Sequence, residues 1–264
     1  MLRNRLVFYF FFERITLDQN RKRYNRGVKE SMKQNIMKQI IAMGGGGFSM
    51  EPENKRLDRY ILKQSSADRP RVCFIPTASG DADGYIERFY TAFQSEECEP
   101  THLSLFSPPQ HLESFVEQQD IFYVGGGNTK NLLALWKEWG LDVLLKKAYE
   151  EGKILAGLSA GSLCWFEEGV TDSFGPLAKL NCLGFIAGSH CPHYDGEANR
   201  RPAYHKLIAN GLKAGYAADD GAGMHFINDE LQTVVSSREN AKACLVEFDG
   251  EKVNEQEIET LFLK

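Results

Sequence analysis

Gly157-Leu158-Ser159-Ala160-Gly161 lies between two apolar runs, one opening at Lys153 and the other at Leu163. The form is G-x-S-x-G, with a strand pattern before it and a helix pattern after. Such a segment makes a sharp strand-to-helix turn that lifts the serine hydroxyl out at the carboxyl end of a sheet. Small neighbours let strand and helix approach, and the helix start offers unpaired N–H groups. A serine hydroxyl alone is a weak nucleophile and needs a base beside it. The same five residues would also serve as a plain helix cap, so the chemistry depends on finding a base and its orienting acid elsewhere.

Six histidines are available. His102 and His111 flank a strand and a helix and read as surface residues. His205 falls within the helical pattern "RRPAYHKLIANGL", and His225 within a strand pattern. His190 and His193 remain, in "AGSHCPHYDGE", a turn-rich segment after the apolar run "LGFIAGS". A loop at a strand end is where a catalytic histidine belongs. The acid is sought at another strand end, and "AGYAADDGAG" offers Asp219 and Asp220 ahead of Gly221. A carboxylate there can accept from the imidazole Nδ1–H and hold its tautomer; the alternative is an Asp-Asp-Gly turn. The resulting order, Ser, His, Asp, differs from the Ser, Asp, His of α/β-hydrolases, so the serine turn does not indicate that fold.

From Lys38 onward, short apolar runs alternate with segments of helical spacing. Strand patterns are "KQIIAM", "RVCFIPT", "THLSLFS", "DIFYVGGG" and "KILAGLS"; helices are expected at "ENKRLDRYILKQS", "YIERFYTAFQS" and "HLESFVEQQ", with a pair broken near Gly140. This alternation predicts a mostly parallel sheet covered on both faces. Beyond residue 210, short strands punctuated by Asn228-Asp229 and Asp249-Gly250 predict a small antiparallel extension. "MGGGGFSM", residues 43–50, lacks the third glycine of a dinucleotide fingerprint and reads as a substrate-side loop.

A chain of 264 residues, 42% hydrophobic, can bury a substantial core. Residues 37–264 read as a single α/β domain. Residues 1–36 hold nine Lys or Arg against three Asp or Glu and lack clear periodicity; they are expected to be a poorly ordered extension, with Met32 or Met37 as the start of the working protein. The overall net charge of −5 gives no reason to expect nucleic acid as a partner, and "LVFYFFF" is too short to span a membrane. Six cysteines without a Cys-x-x-Cys pair read as free thiols in a reducing cytoplasm, with no metal site.

Taken in order, "YVGGGNTKNLL", "GLSAGS", "PHY" and the acid-glycine "DDG" resemble the peptidase E family of aspartyl dipeptidases, a group that includes the cyanophycinases. The resemblance covers roughly residues 38 to 248. It implies a three-layer α/β sandwich of the class I glutamine amidotransferase type, although position 159 is serine where those amidotransferases carry cysteine. It implies Ser159 as nucleophile and His193, not His190, as base. The relatives' third member is a glutamate before glycine; Asp220 matches that place with a shorter side chain, and Asp219 stays open. The N–H groups of Gly127 and Ala160 would form the oxyanion hole. Asn128 and Thr129 would line the pocket, although either also suits a helix N-cap. Arg200, beside Arg201, would provide a cation for an acidic first residue, and Lys130 is a departure from the dipeptidases.

The resemblance therefore implies a cytosolic serine peptidase acting on short peptides, Asp-X dipeptides among them, with no metal or organic cofactor. The expected partner is a small peptide; nucleic acid and membranes are not expected, and a homodimer is left open. The rival readings are cyanophycinase-like hydrolysis of β-aspartyl peptides and a non-catalytic nucleotide- or metabolite-binding α/β domain.

Overall fold

The structure, a computed structural model, describes residues 36–264. Expectations for residues 1–35 lie outside the described residues. Lys38–Lys264 forms one compact unit.

Five parallel strands make the heart of the first sheet: β1 (Gln39–Met43), β2 (Arg71–Ile75), β3 (Glu99–His102), β4 (Ile121–Val124) and β5 (Ile154–Leu158). Their spatial order is β1-β5-β4-β2-β3. Helices α1 (Gly47–Met50) and α2 (Arg56–Leu62) follow β1, and α3 (Asp83–Phe93) follows β2. Helix α4 (Leu112–Glu117) follows β3, while α5 (Thr129–Trp139) and α6 (Leu141–Glu150) follow β4. Gly140, at φ 67°, ends α5 and begins α6, the break the sequence marks.

Period-two side-chain alternation sorts the strands into two cores. Ile41, Met43, Val72, Phe74, Ile121 and Tyr123 pack with Phe48, Leu57, Phe89 and Phe93 of α1–α3. Ile40, Ala42, Cys73, Ile75, Phe122 and Val124 pack with Leu132, Trp136, Leu145 and Tyr149 of α5 and α6. Both faces are covered, which is why these strands read as continuous apolar runs. The expected three-layer α/β architecture is present.

After β5 comes the short helix α7 (Ala160–Leu163). The chain then builds part of a second sheet with β6 (Phe166–Thr171), β7 (Ala178–Asn181) and β8 (Ile186–Cys191). Helix α8 (Arg200–Ala209) leads into β9 (Gly215–Ala218). At Asp219–Gly221 the chain crosses to the first sheet, where β10 (Ala222–Ile227) pairs antiparallel with β1 and β11 (Glu230–Ser236) pairs with β10. It returns for the hairpin β12 (Ala243–Phe248) and β13 (Val253–Ile258), and β14 (Thr260–Phe262) closes the edge of the first sheet. The expected antiparallel extension is this C-terminal part. Its continuation into a six-stranded sheet, β13-β12-β9-β8-β6-β7, was not foreseen.

Two local expectations are corrected. "THLSLFS" leaves the sheet after His102, because Asp81 Oδ2 accepts from the Leu105 and Phe106 N–H groups, at 3.1 and 3.4 Å, in place of a ladder partner. His190 is not in a loop: β8 extends to Cys191 through its parallel pairing with β9. Among the described residues no helix is long and apolar enough to cross a membrane.

One buried group marks a pH-sensitive point in the first core. Asp58 is 2% exposed; it accepts from the Tyr123 hydroxyl at 3.0 Å, while its Oδ2 has no partner among the described residues. Burial raises its carboxyl to about 6, against the opposing Tyr123 and Phe48 hydrogen bonds. The folded chain therefore holds this proton where the unfolded chain releases it. Asp58 costs the fold stability as pH rises from about 4 to about 6, by up to about 3 kcal/mol in all. The stability difference between wild type and Asp58→Asn, from urea unfolding at a series of pH values, is expected to shift in favour of the variant across that window. A difference that stays constant with pH would contradict the assignment.

Candidate active site

The elbow is forced by backbone contact. A Cβ built on Gly157 would fall on the Gly161 carbonyl, and one on Gly161 would fall on the Val124 carbonyl. Only glycine lets β5, α7 and the end of β4 come this close. Ser159, between them, is held at φ 55°, ψ −118°. For a residue with a Cβ this costs on the order of 1 kcal/mol or more, and such positions concentrate at functional sites. His193 is the other site residue of this kind, at φ 56°.

The glycine loop after β4 lies against the serine. A Cβ on Gly126 would lie 3.2 Å from Ser159 Cβ and 3.6 Å from its Oγ. The loop is pinned from behind: the Gly126 N–H donates to the Tyr85 hydroxyl at 3.2 Å and the Asn128 N–H to the Ala78 carbonyl at 2.8 Å. Gly127, at φ 137°, is pressed against the Ala78 carbonyl, so a side chain is excluded there on both counts. The N–H groups of Gly127 and Ala160 donate to no acceptor among the described residues. One of these N–H groups lies in the glycine loop and the other at the helix start that follows Ser159.

The second sheet brings the histidine and the acid. His193 Nδ1 is 2.6 Å from Asp220 Oδ1, in a part-buried contact. Since the carboxylate only accepts, Nδ1–H is the donor in this contact, leaving Nε2 free to face away from the acid. Burial would raise the Asp220 carboxyl, but the His193 hydrogen bond and nearby positive charge outweigh it and hold it below the usual value. Asp220 is fixed further by its own N–H, which donates to Asp195 Oδ1 at 2.8 Å, and by Gly45, which bridges to it from the end of β1. Asp219 points elsewhere and accepts from the Lys242 N–H at 3.1 Å. Burial, then the charge of Asp195, raises its carboxyl to about 6. Of the two acids the sequence left open, Asp220 is the one that touches the histidine.

Ser159 Oγ and His193 share no hydrogen bond here; contacts of this kind often close only around bound substrate. His190 has a different place. It is fully buried, and burial lowers it to about 4. Its Nδ1–H donates to the Tyr216 carbonyl at 2.9 Å, and its Nε2 lies 3.0 Å from Ser162 Oγ, one turn after Ser159. It is a neutral histidine supporting the elbow from within.

The remaining predicted residues are engaged with the protein itself. Asn128 caps α5, its Oδ1 accepting from the Asn131 N–H at 2.9 Å, while its Nδ2 donates to the Ser173 carbonyl at 2.8 Å. Thr129 is buried. Arg200 begins α8, is 5% exposed, and donates to Glu197 and to the Val170 carbonyl. Arg201 lies outside this group and pairs with Glu255. Sequence reasoning missed Asp195, Tyr85, Ser162 and Glu197; of these only Asp195 carried a signal, the Asp-Gly turn after His193.

The class of protein follows from comparison with known chains. The sequence matches peptidase family S51 over residues 40–234. It is 66% identical over 212 residues to the uncharacterized peptidase YgaJ of Bacillus subtilis (strain 168), covering 80% of this chain and 92% of that one. It is 28% identical over 182 residues to Peptidase E of Actinobacillus pleuropneumoniae serotype 7 (strain AP76), covering 64% and 76%. Among solved structures, a peptidase from an acI-B1 Actinobacterium superposes with a TM-score of 0.62 at 17% identity, covering 85% of this chain and 96% of the other. The chain belongs to peptidase family S51 and is a serine-type peptidase.

Asp220→Asn and Asp219→Asn separate the roles of the two acids. The first removes the acceptor that fixes the histidine tautomer and is expected to lower kcat by about 10²–10⁴ with KM little changed. The second is expected to change kcat by less than about threefold, since Asp219 contacts only backbone. Steady-state kinetics on any cleaved peptide tells them apart, and equal losses would contradict the assignment.

Proposed function

We propose that the chain hydrolyses short peptides through an acyl-enzyme on Ser159, with His193 as general base and Asp220 as its orienting acid. The observation that carries this reading is the 2.6 Å contact of His193 with Asp220 on the second sheet, while the first sheet presents Ser159 in a strained turn. His193 Nε2 takes the Ser159 proton as Oγ attacks the scissile carbonyl. The tetrahedral oxyanion is met by the Gly127 and Ala160 N–H groups, donors worth a few kcal/mol each to such an intermediate. His193 then protonates the leaving amine, and the same residue activates the water that releases the acyl group.

Arg200 is the cation proposed to receive an acidic first residue, so Asp-X dipeptides are the first substrates to consider. Asn128 and Thr129, at the start of α5, are proposed to line the same pocket. The six unpaired cysteines accord with a reducing cytoplasm as the place of action.

Ser159→Ala is expected to lower kcat by at least about 10⁴ and to abolish labelling by a serine-directed phosphonate, with an unchanged unfolding midpoint. Retained turnover or labelling would remove Ser159 from the mechanism. Hydrolysis of β-Asp-Arg but of no Asp-X dipeptide would move the substrate class to β-aspartyl peptides while leaving the nucleophile in place.

A further inference from the structure

Arg200 is a buried cation whose partners differ sharply in exposure. Its side chain is 6% exposed, whereas Glu197 is 46% exposed and Asp172 62%. Its Nη1 donates to the Val170 carbonyl at 3.2 Å. The rest of the fork faces Glu197: Nε donates to Oε2 at 2.6 Å and Nη2 to Oε1 at 3.3 Å. Asp172 Oδ1 stands 3.6 Å from Nη2. A buried guanidinium without a carboxylate would be costly, so the fork must be filled at all times. The cation is fixed by the fold, while the anion filling it is half in water.

The place of this pair gives it meaning. Glu197 lies four residues beyond His193, and its N–H donates to the His193 carbonyl at 3.2 Å. The intervening Gly196 is pressed against the Asp220 carboxylate, and the charge of Arg200 contributes to holding Asp220 ionised. On the far side, the β6–β7 turn that carries Asp172 also carries Ser173, which accepts from Asn128 beside the glycine loop. The filled fork therefore sits at the rim of the residues proposed to carry the reaction.

We propose that Glu197 is an exchangeable internal occupant of the Arg200 fork, a carboxylate that an acidic substrate side chain must displace to bind. Exchange replaces one bidentate carboxylate with another, so the buried cation is paired before and after, and only Glu197 changes its surroundings, moving into water it already half meets. Glu197 then sets how strongly the enzyme favours acidic over neutral peptides. This inference rests on the peptidase reading above and adds to it a specificity-determining residue that contacts no reacting atom.

The test uses the isosteric pair Asp-Leu and Asn-Leu with wild type, Glu197→Gln and Glu197→Gln/Arg200→Lys. Freeing the fork is expected to raise the ratio of kcat/KM for Asp-Leu over Asn-Leu by about tenfold, through KM, as expected for one charge-assisted contact. The gain should vanish when Arg200 becomes lysine, which keeps the charge and loses the fork. A ratio unchanged in Glu197→Gln, or a gain that survives Arg200→Lys, would overturn the proposal. Glu197→Asp, one methylene shorter, provides a more conservative variant expected to show part of the gain. A second readout needs no turnover: calorimetric titration with succinate should give tighter binding to Glu197→Gln than to wild type, and equal binding counts against exchange. If no protein cleaves either dipeptide, the peptidase reading fails on these substrates while the succinate comparison still decides the role of Glu197.

Discussion

The two sheets meet backbone to backbone at Gly44 and Gly45, and the site exists because they do. A Cβ on Gly44 would fall on the carbonyls of Ala218 and Asp219, and one on Gly45 would fall on the Asp220 carboxylate. The Gly44 N–H donates to the Ala222 carbonyl and the Gly221 N–H to the Gly45 carbonyl, both at 3.1 Å. Close-packed interiors leave no slack at such a crossing. The first sheet presents the serine at the end of β5, next to β1; the second presents the histidine after β8 and the acid after β9. Only where the two frames touch without intervening side chains can groups from both come close to one another.

Each side of the site is stiffened by means suited to what it offers. On the first sheet, the donors are main-chain N–H groups, and their direction is fixed by glycines wedged against carbonyls. On the second, the functional groups are side chains, and they are fixed by hydrogen bonds: Asp195 to the Asp220 N–H, and Asp220 to His193. Preorganisation of both kinds reduces the rearrangement needed as charge develops on the substrate. The buried His190 and Ser162 continue this support beneath the elbow without meeting substrate themselves.

Much of the fold was legible because the first sheet obeys local rules. Most of its parallel strands are apolar runs, its helices are amphipathic, and Gly140 marks the break between two of them; the edge strand β3, Glu99–His102, is not apolar. The second sheet was legible only in part: the strands before His193 and Asp219 were read, but not the sheet they belong to. Ala178–Asn181 and Val253–Ile258 alternate weakly and lie at its edges, and their pairing depends on partners far away in sequence. The serine turn was readable from five residues because its constraint is local. The choice between Asp219 and Asp220 was not, since adjacent residues at a strand end point in opposite directions and the direction is set by the crossing to β10. "MGGGG" read as a substrate-side loop, but it did not reveal that its first two loop glycines form the contact between sheets; a contact between distant backbones leaves no mark except the absence of side chains. That the Arg200 fork is occupied could not be read, since its partner Glu197, three residues away, is equally at home as a solvated surface acid.

The order in which the chain supplies its parts has a consequence for biosynthesis. A chain leaving the ribosome exposes Ser159 well before residue 220 has been made, and domains assemble as their sequence emerges. The strand that anchors the acid, β10, closes on β1 at the opposite end of the domain. Until that pairing forms, His193 lacks the carboxylate that, in the proposed mechanism, orients it as base. On the proposed mechanism the chain would be silent while it and its neighbours on the polysome are still unfolded and most vulnerable to cleavage. On that mechanism activity would begin only once the fold that pairs Asp220 with His193 is complete.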